Sequence, residues 1–189
     1  GGAELCKPAG AQAPGGQARR EALMRPIPID EEGRFSGYAS VFGQKDEGGD
    51  IVMPGAFRRS LGLRGRHRIR MLFQHDPKEP VGIWEAIRED FNGLWVEGRL
   101  VPGVPRADAL RRLIANHAID GLSIGFRTLK SRREGPSAVR RLIEVDLWEV
   151  SIVAFPMLDA ARISEAGAGP PAARLKRSLD AAITALRNP

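Results

Sequence analysis

The chain has three histidines and one cysteine, so few side chains are available as a base or a soft nucleophile. His75 ends the segment "RIRMLFQHD", where alternation places Ile69, Met71, Phe73 and His75 on one face of a strand. At a core edge, limited solvation keeps an imidazole neutral and able to take a proton. In "DGLSIGF", Leu122, Ile124 and Phe126 share one face, and Ser123 stands on the other between Gly121 and Gly125. A serine flanked by residues without side chains lets a substrate backbone come close, as acyl transfer requires. In "DLWEVSIVAF", alternation groups Leu147, Glu149, Ser151 and Val153 against Trp148, Val150, Ile152 and Ala154. An acid in so apolar a strand needs a partner, because an unpaired buried carboxylate is costly. A histidine ring N–H would satisfy Glu149 and fix the tautomer, and an arginine would serve equally well. Asp76, Glu144 and Asp146 compete with it. Taken singly, each residue also has a plain structural reading: His75 as a core-edge histidine, Ser123 as a serine facing a packed helix.

The other candidates are weaker. His117 completes the apolar stripe of a helix, and His67 sits among arginines in "RGRHRIR", the setting of an exposed loop. Cys6 has no partner for a disulfide or at metal-ligand spacing, and no HExxH or CxxC pattern marks a zinc site, so neither metal nor cofactor is expected. "GLSIGF" is not the GxSxG elbow of the α/β-hydrolases, whose serine sits on a strand-to-helix turn.

Positioning these residues falls to strands. Residues 34–42, 68–75, 80–90, 93–101, 121–131 and 139–155 have strand composition. "EGGD" at 47–50 is a turn leading into a short strand, and Gly93 supplies a hairpin turn. "MPGAFRRSLG" predicts a one- or two-turn helix from Pro54, closed by Gly62, and a longer helix spans 105–118 with Ala107, Leu110, Leu113, Ile114 and His117 in its stripe. The pattern predicts an α+β, mainly β fold: a small mixed, largely antiparallel barrel or curled sheet with helices outside.

Three regions follow from composition: a disordered arm over 1–26 that begins with a Gly/Ala/Pro/Gln-rich stretch, a core domain over 27–163, and a Gly/Pro linker with a short helical tail over 164–189. In the tail Leu175, Leu179, Ala182, Ile183 and Leu186 recur at helical spacing. No apolar run is long enough to cross a membrane as a helix, and the N-terminus lacks signal-peptide layout, so the reading is soluble and cytoplasmic. The net charge of +6 raises the question of nucleic acid. The arginines are dispersed with few interleaved aromatics, which favours a solvated basic surface instead.

Taken together, "GRFSGYASVFGQKDEGGDIVMPGAF", "MLFQHDPKEPVGIW", "GLSIGF" and "LWEVSIVAFP" resemble, in order, the signature segments of the tailed-phage prohead protease family. That resemblance implies a fold like the herpesvirus capsid-maturation protease and a serine endopeptidase with Ser123 as nucleophile and His75 as base. The third member corresponds to Glu149, with Asp146 and Glu144 behind it. Oxyanion donors would lie near Met157 and Leu158. It further implies major capsid protein and scaffold as substrates, self-cleavage, a homodimer, and action inside the immature capsid in the bacterial cytoplasm, without nucleic acid or membrane. The rival readings are a catalytically inactive capsid assembly or scaffolding factor of the same fold, and a basic nucleic-acid-binding protein.

Overall fold

The computed structural model describes residues 28–133 and 139–164. The N-terminal arm with Cys6, and the linker and helical tail beyond residue 164, lie outside the described residues. Eight strands form one sheet: β1 (Arg34–Val41), β2 (Asp50–Val52), β3 (Arg70–Phe73), β4 (Asp76–Glu89), β5 (Gly93–Leu100), β6 (Gly121–Arg133), β7 (Arg140–Val153) and β8 (Ile163–Ser164). Two α-helices, α1 (Arg58–Arg64) and α2 (Pro105–Ala115), and a 3-10 turn at Arg66–Arg68 complete the described residues.

The long strand β7 organises the sheet. Along one side it pairs antiparallel with β6, and along the other it pairs parallel with β2 and then β3. From β3 the sheet continues antiparallel through β4, β5, β1 and β8. The sheet curls until β1 approaches β6, and residues 161–164 join them at one end. There the Leu122 N–H donates to the Ala161 carbonyl at 2.9 Å, the Ile163 N–H donates to Asp120 at 2.7 Å, and β8 pairs with β1. Gly37 permits this seam, since a Cβ there would lie 2.2 Å from the Arg162 carbonyl oxygen. Beyond the seam β6 pairs with β7 alone, so the barrel is a half-barrel with one open flank beginning at Ser123.

The predicted mixed, largely antiparallel β architecture is the one found, with a modest helical cover. Apolar side chains from the inner faces fill the core, among them Met71, Leu122, Leu147, Val150 and Ile152, together with Phe57 from the turn before α1 and Leu110 and Ile114 from α2. α1 is fixed to β7 through buried Ser60, whose hydroxyl accepts the Leu147 N–H at 2.8 Å. It begins four residues later than the sequence suggests and runs through Gly62 to Gly65, where φ of 64° supplies the break. α2 also stops short, at Ala115. His117 is not in the stripe but just past the helix end, at φ 55°, with its N–H bonded to Ile114 and that of Ala118 to Leu113. This is the Schellman arrangement, with histidine in the position glycine usually takes.

Candidate active site

His75 reaches the site through a turn rather than through strand alternation. β3 ends at Phe73, which pairs with Asp76, so Gln74 and His75 are the two central residues of a hairpin. Both are left-handed, with φ of 53° and 60°. Two positive φ values suit the primed hairpin turns, where Asn-Gly is usual and each non-glycine residue adds strain. β7 holds the turn in place: the Gln74 N–H donates to the Ile152 carbonyl at 3.0 Å and the His75 N–H to Ser151 Oγ at 3.2 Å. The expectation that His75 shares a face with Met71 and Phe73 is therefore corrected. The turn carries its ring over to Glu149, which stands in register with Arg70 on the opposite face from Met71.

Glu149 owes its direction to a β-bulge. Gly125 of β6 faces Glu149, yet Phe126 faces Leu147, so Trp148 is an extra residue on β7. The core members of this strand accordingly fall at Val145, Leu147, Val150 and Ile152. A bulge inverts the faces downstream of it. Leu147 points into the core while Glu149 points out, contrary to the simple alternation that groups them, and Trp148 is half exposed at 51%.

Three hydrogen bonds tie the cluster together. His75 Nδ1 and Glu149 Oε1 are 2.6 Å apart, and the Ser151 hydroxyl donates to Glu149 Oε2 at 2.6 Å while accepting the His75 N–H. The carboxylate makes Nδ1 the protonated nitrogen, which leaves Nε2 free to accept a proton. The hydrogen bond to Glu149 raises the His75 pKa above its ordinary value; burial opposes the rise and the carboxylate's charge assists it. Room for the carboxylate comes from Gly125, where a Cβ would sit 1.9 Å from Glu149 Oε1. The space beside Gly121 is likewise filled by protein: a Cβ at that position would lie 2.6 Å from the Val153 carbonyl oxygen, with Pro156 close behind. These glycines admit neighbouring protein groups, in place of the substrate approach expected from them.

The competing acids are engaged elsewhere. Asp146 is held by Arg64 Nε and Nη2 at 2.6 and 2.7 Å and by Trp148 Nε1 at 2.8 Å, and the arginine above all holds its carboxyl down at about 2. Glu144 pairs with Arg59 at 2.8 Å, and Asp76 accepts the Lys78 N–H at 2.8 Å.

Ser123 lies on β6 directly opposite Ser151. It is 5% exposed, yet among the described residues its hydroxyl makes no hydrogen bond and is not sealed from solvent. No hydrogen bond joins it to His75. It borders a pocket of about 160 Å³ at the open flank of the half-barrel, walled by β1, β6 and the loop containing Met157 and Leu158. The structure thus brings His75 and Glu149 into contact and sets Ser123 one strand away, with the expected oxyanion region beside it. A model of the family described as caudovirus prohead serine protease matches residues 24–170. The chain belongs to that family.

Among relatives of this prohead protease family member, the prohead protease of Enterobacteria phage HK97 is 37% identical over 136 residues, covering 71% of this chain and 60% of that protein. The prohead protease of Escherichia phage T5 is 27% identical over 124 residues, covering 65% and 58%. The chain therefore spans about 60% of the length of these curated relatives. The capsid assembly protease of bacteriophage T4 superposes with a TM-score of 0.53 at 15% identity, covering 69% of this chain and 89% of that one, which speaks for a shared fold.

In this family member the remaining histidines stay apart from the cluster, His67 exposed in the 3-10 turn and His117 at the end of α2. Among the described residues no group of His, Cys, Asp and Glu could hold a metal, and no helix is long and apolar enough to cross a membrane. Ser151 is the site residue that sequence reasoning places on a face without giving it a role. Its signal is a hydroxyl two residues from Glu149 on a buried strand, where a polar group must find a partner.

Proposed function

We propose that the chain is a serine endopeptidase that cleaves capsid and scaffold proteins, and itself, during maturation of a phage or phage-like procapsid. The observation that carries this reading is the His75–Glu149 pair, which leaves Nε2 free to accept a proton, while Ser123 stands opposite Ser151 on the next strand and borders a pocket. The free edge of β6 suits a substrate that adds as an extended strand, a mode in which main-chain hydrogen bonds supply affinity. With substrate in place, His75 Nε2 takes the Ser123 proton while Oγ attacks the peptide carbonyl. Catalytic hydrogen bonds commonly tighten only in the complex, so the proton transfer is proposed for the substrate-bound enzyme.

The imidazolium formed is stabilised by Glu149 and returns its proton to the leaving amine. Water, deprotonated by the same nitrogen, then attacks the acyl-enzyme and frees Ser123. Backbone N–H groups near Met157 and Leu158 are the proposed donors to the oxyanion, consistent with their place on the pocket wall. The proposed catalytic domain extends from about Ile27 through β8, with the arm and tail as sites of self-cleavage. The enzyme would act as a homodimer inside the immature capsid in the bacterial cytoplasm.

The test is co-expression with the neighbouring capsid protein, comparing wild type with Ser123→Ala by intact mass. Loss of a serine nucleophile costs on the order of a millionfold in turnover, so only the wild type should shorten the capsid protein. Cutting by both chains would remove Ser123 from the mechanism. Cutting by neither would favour the inactive assembly-factor reading.

A further inference from the structure

Between Val153 and Ala161, both buried, five of the seven residues are exposed and none is buried. Phe155 at their head is 92% exposed, so burial of apolar surface does not hold this loop in shape. The N–H groups of Met157, Leu158, Asp159 and Ala160 have no acceptor among the described residues. Free donors beside a nucleophile suit an oxyanion, provided that they are fixed before charge develops.

Each peptide plane is fixed through its carbonyl, because a planar peptide that holds its C=O also aims the N–H on its other side. The Met157 carbonyl accepts the Glu47 N–H at 2.9 Å and the Leu158 carbonyl accepts the Ala161 N–H at 2.9 Å, which aims the N–H groups of Leu158 and Asp159. The third plane depends on a side chain. Arg162 Nε donates to the Asp159 carbonyl at 2.8 Å, and Nη2 donates to Asp159 Oδ1. The same guanidinium reaches across to β6, where Nη1 donates to Asp120 Oδ1 at 2.7 Å. Asp120 directly precedes β6 and stands three residues before Ser123. With its fork divided between Asp120 and Asp159, the guanidinium is a strut between loop and strand and is not itself aimed at the oxyanion.

The structure assigns Arg162 the role of a positioning residue, which locks the peptide plane after Asp159 and ties the oxyanion loop to the strand that carries Ser123. This inference rests on the peptidase reading with Ser123 as nucleophile and donors near Met157 and Leu158. Charge alone does not suffice for the role. A lysine ammonium is a point charge on a flexible stem, without the planar fork that holds one carbonyl and two carboxylates together. Because oxyanion donors act on charge that develops in the transition state, a loop that loses its aim lowers kcat and leaves KM.

The test compares the full chain with Arg162→Gln and Arg162→Lys on a synthetic peptide that copies the capsid cleavage region. It reads kcat and KM separately, the melting point, and the rate of labelling by a peptidyl phosphonate, whose phosphonyl oxygen takes the oxyanion position in the serine adduct. Both variants should lose about 10- to 100-fold in kcat, part of the roughly 10²- to 10³-fold carried by an oxyanion donor, with KM within about threefold. Labelling should slow by the same factor. The ion pair is partly exposed, so the melting point should fall by no more than about 4 °C. Asp120→Ala removes the far anchor and should lower kcat in the same way; combined with Arg162→Gln it should add less than about threefold, because both changes break one tie. A kcat within threefold of wild type in Arg162→Gln, full activity in Arg162→Lys, a loss confined to KM, or additive losses in the double variant would overturn the inference alone. Failure of wild type to cut either the peptide or the capsid protein would overturn the peptidase reading, and this inference with it.

Discussion

Gly125→Ala separates the seating of the carboxylate from the stability of the fold. The added Cβ would lie 1.9 Å from Glu149 Oε1, 2.6 Å from Cδ and 2.8 Å from Cγ, so the two groups cannot occupy the same space. The atoms displaced are the end of a flexible side chain, and rotation of Glu149 removes the clash at small steric cost. That rotation breaks the 2.6 Å contacts to His75 and Ser151. Losing them costs about 1–3 kcal/mol, while replacing a strand glycine by alanine returns about 0.5–1 kcal/mol of backbone entropy. The net stability change is then about 0–2.5 kcal/mol, within the ordinary range for single substitutions. Turnover should fall far more, by about 10³- to 10⁴-fold, as when a histidine base loses the carboxylate that fixes its tautomer. Capsid-protein cleavage rates and thermal melting, measured on the same preparation, read the two quantities. A Gly125→Ala protein that folds and cuts within a few-fold of wild type would refute the assignment of Glu149 as the orienting acid.

The pH dependence tests the same contact from the other side. Glu149 raises the His75 pKa, so the proposed base becomes neutral, and cleavage rises, at a higher pH than for an unpaired histidine; in Glu149→Gln the rising limb should move to lower pH while its plateau falls. For stability the sign is opposite: a raised folded pKa contributes stabilisation that is full below about 6.5 and is lost as pH rises through the folded value, so Glu149→Gln should narrow the difference between melting points at pH 5 and pH 8.5. Asp146→Asn should leave cleavage within about threefold of wild type, because Arg64 engages that acid away from His75. With a folded pKa of about 2 against 3.8, Asp146 contributes stability above the higher value that is lost as pH falls through the lower, so the variant should melt earlier than wild type at pH 6 and match it only below about pH 2.

Strand composition identifies nearly every strand, and the need of Glu149 for a partner follows from the apolar residues around it. The mismatches arise where the backbone departs from regular repeat. Trp148 is apolar and therefore reads as a member of the alternating pattern, although the spacing of Val145, Leu147, Val150 and Ile152 contains a break of three that only a bulge accommodates. Alternation assigns His75 to the face of Met71 because Gln-His carries none of the Gly or Asn chemistry that announces a primed turn. The end of α2 is concealed differently: its asparagine, Asn116, is the C-cap, and the left-handed position falls one residue later on His117. The Ser123–His75 relation depends on the registers of β6 and of the β3–β4 turn on β7, pairings between segments distant in sequence that no local pattern encodes.

Both irregularities lie on neighbouring strands and are joined by Ser151. Two left-handed residues at Gln74 and His75 cost about 1–3 kcal/mol each, and two hydrogen bonds to β7 offset part of that. One of those bonds ends on the hydroxyl that also donates to Glu149. The strain in the turn and the orientation of the carboxylate are therefore coupled through a single oxygen. Relaxation of the turn would withdraw the His75 N–H from Ser151 and leave that hydroxyl free to rotate away from Glu149. The imidazole then loses both the backbone that aims it and the acid that holds its proton, which is why buried Ser151 belongs to the same hydrogen-bonded unit as His75 and Glu149.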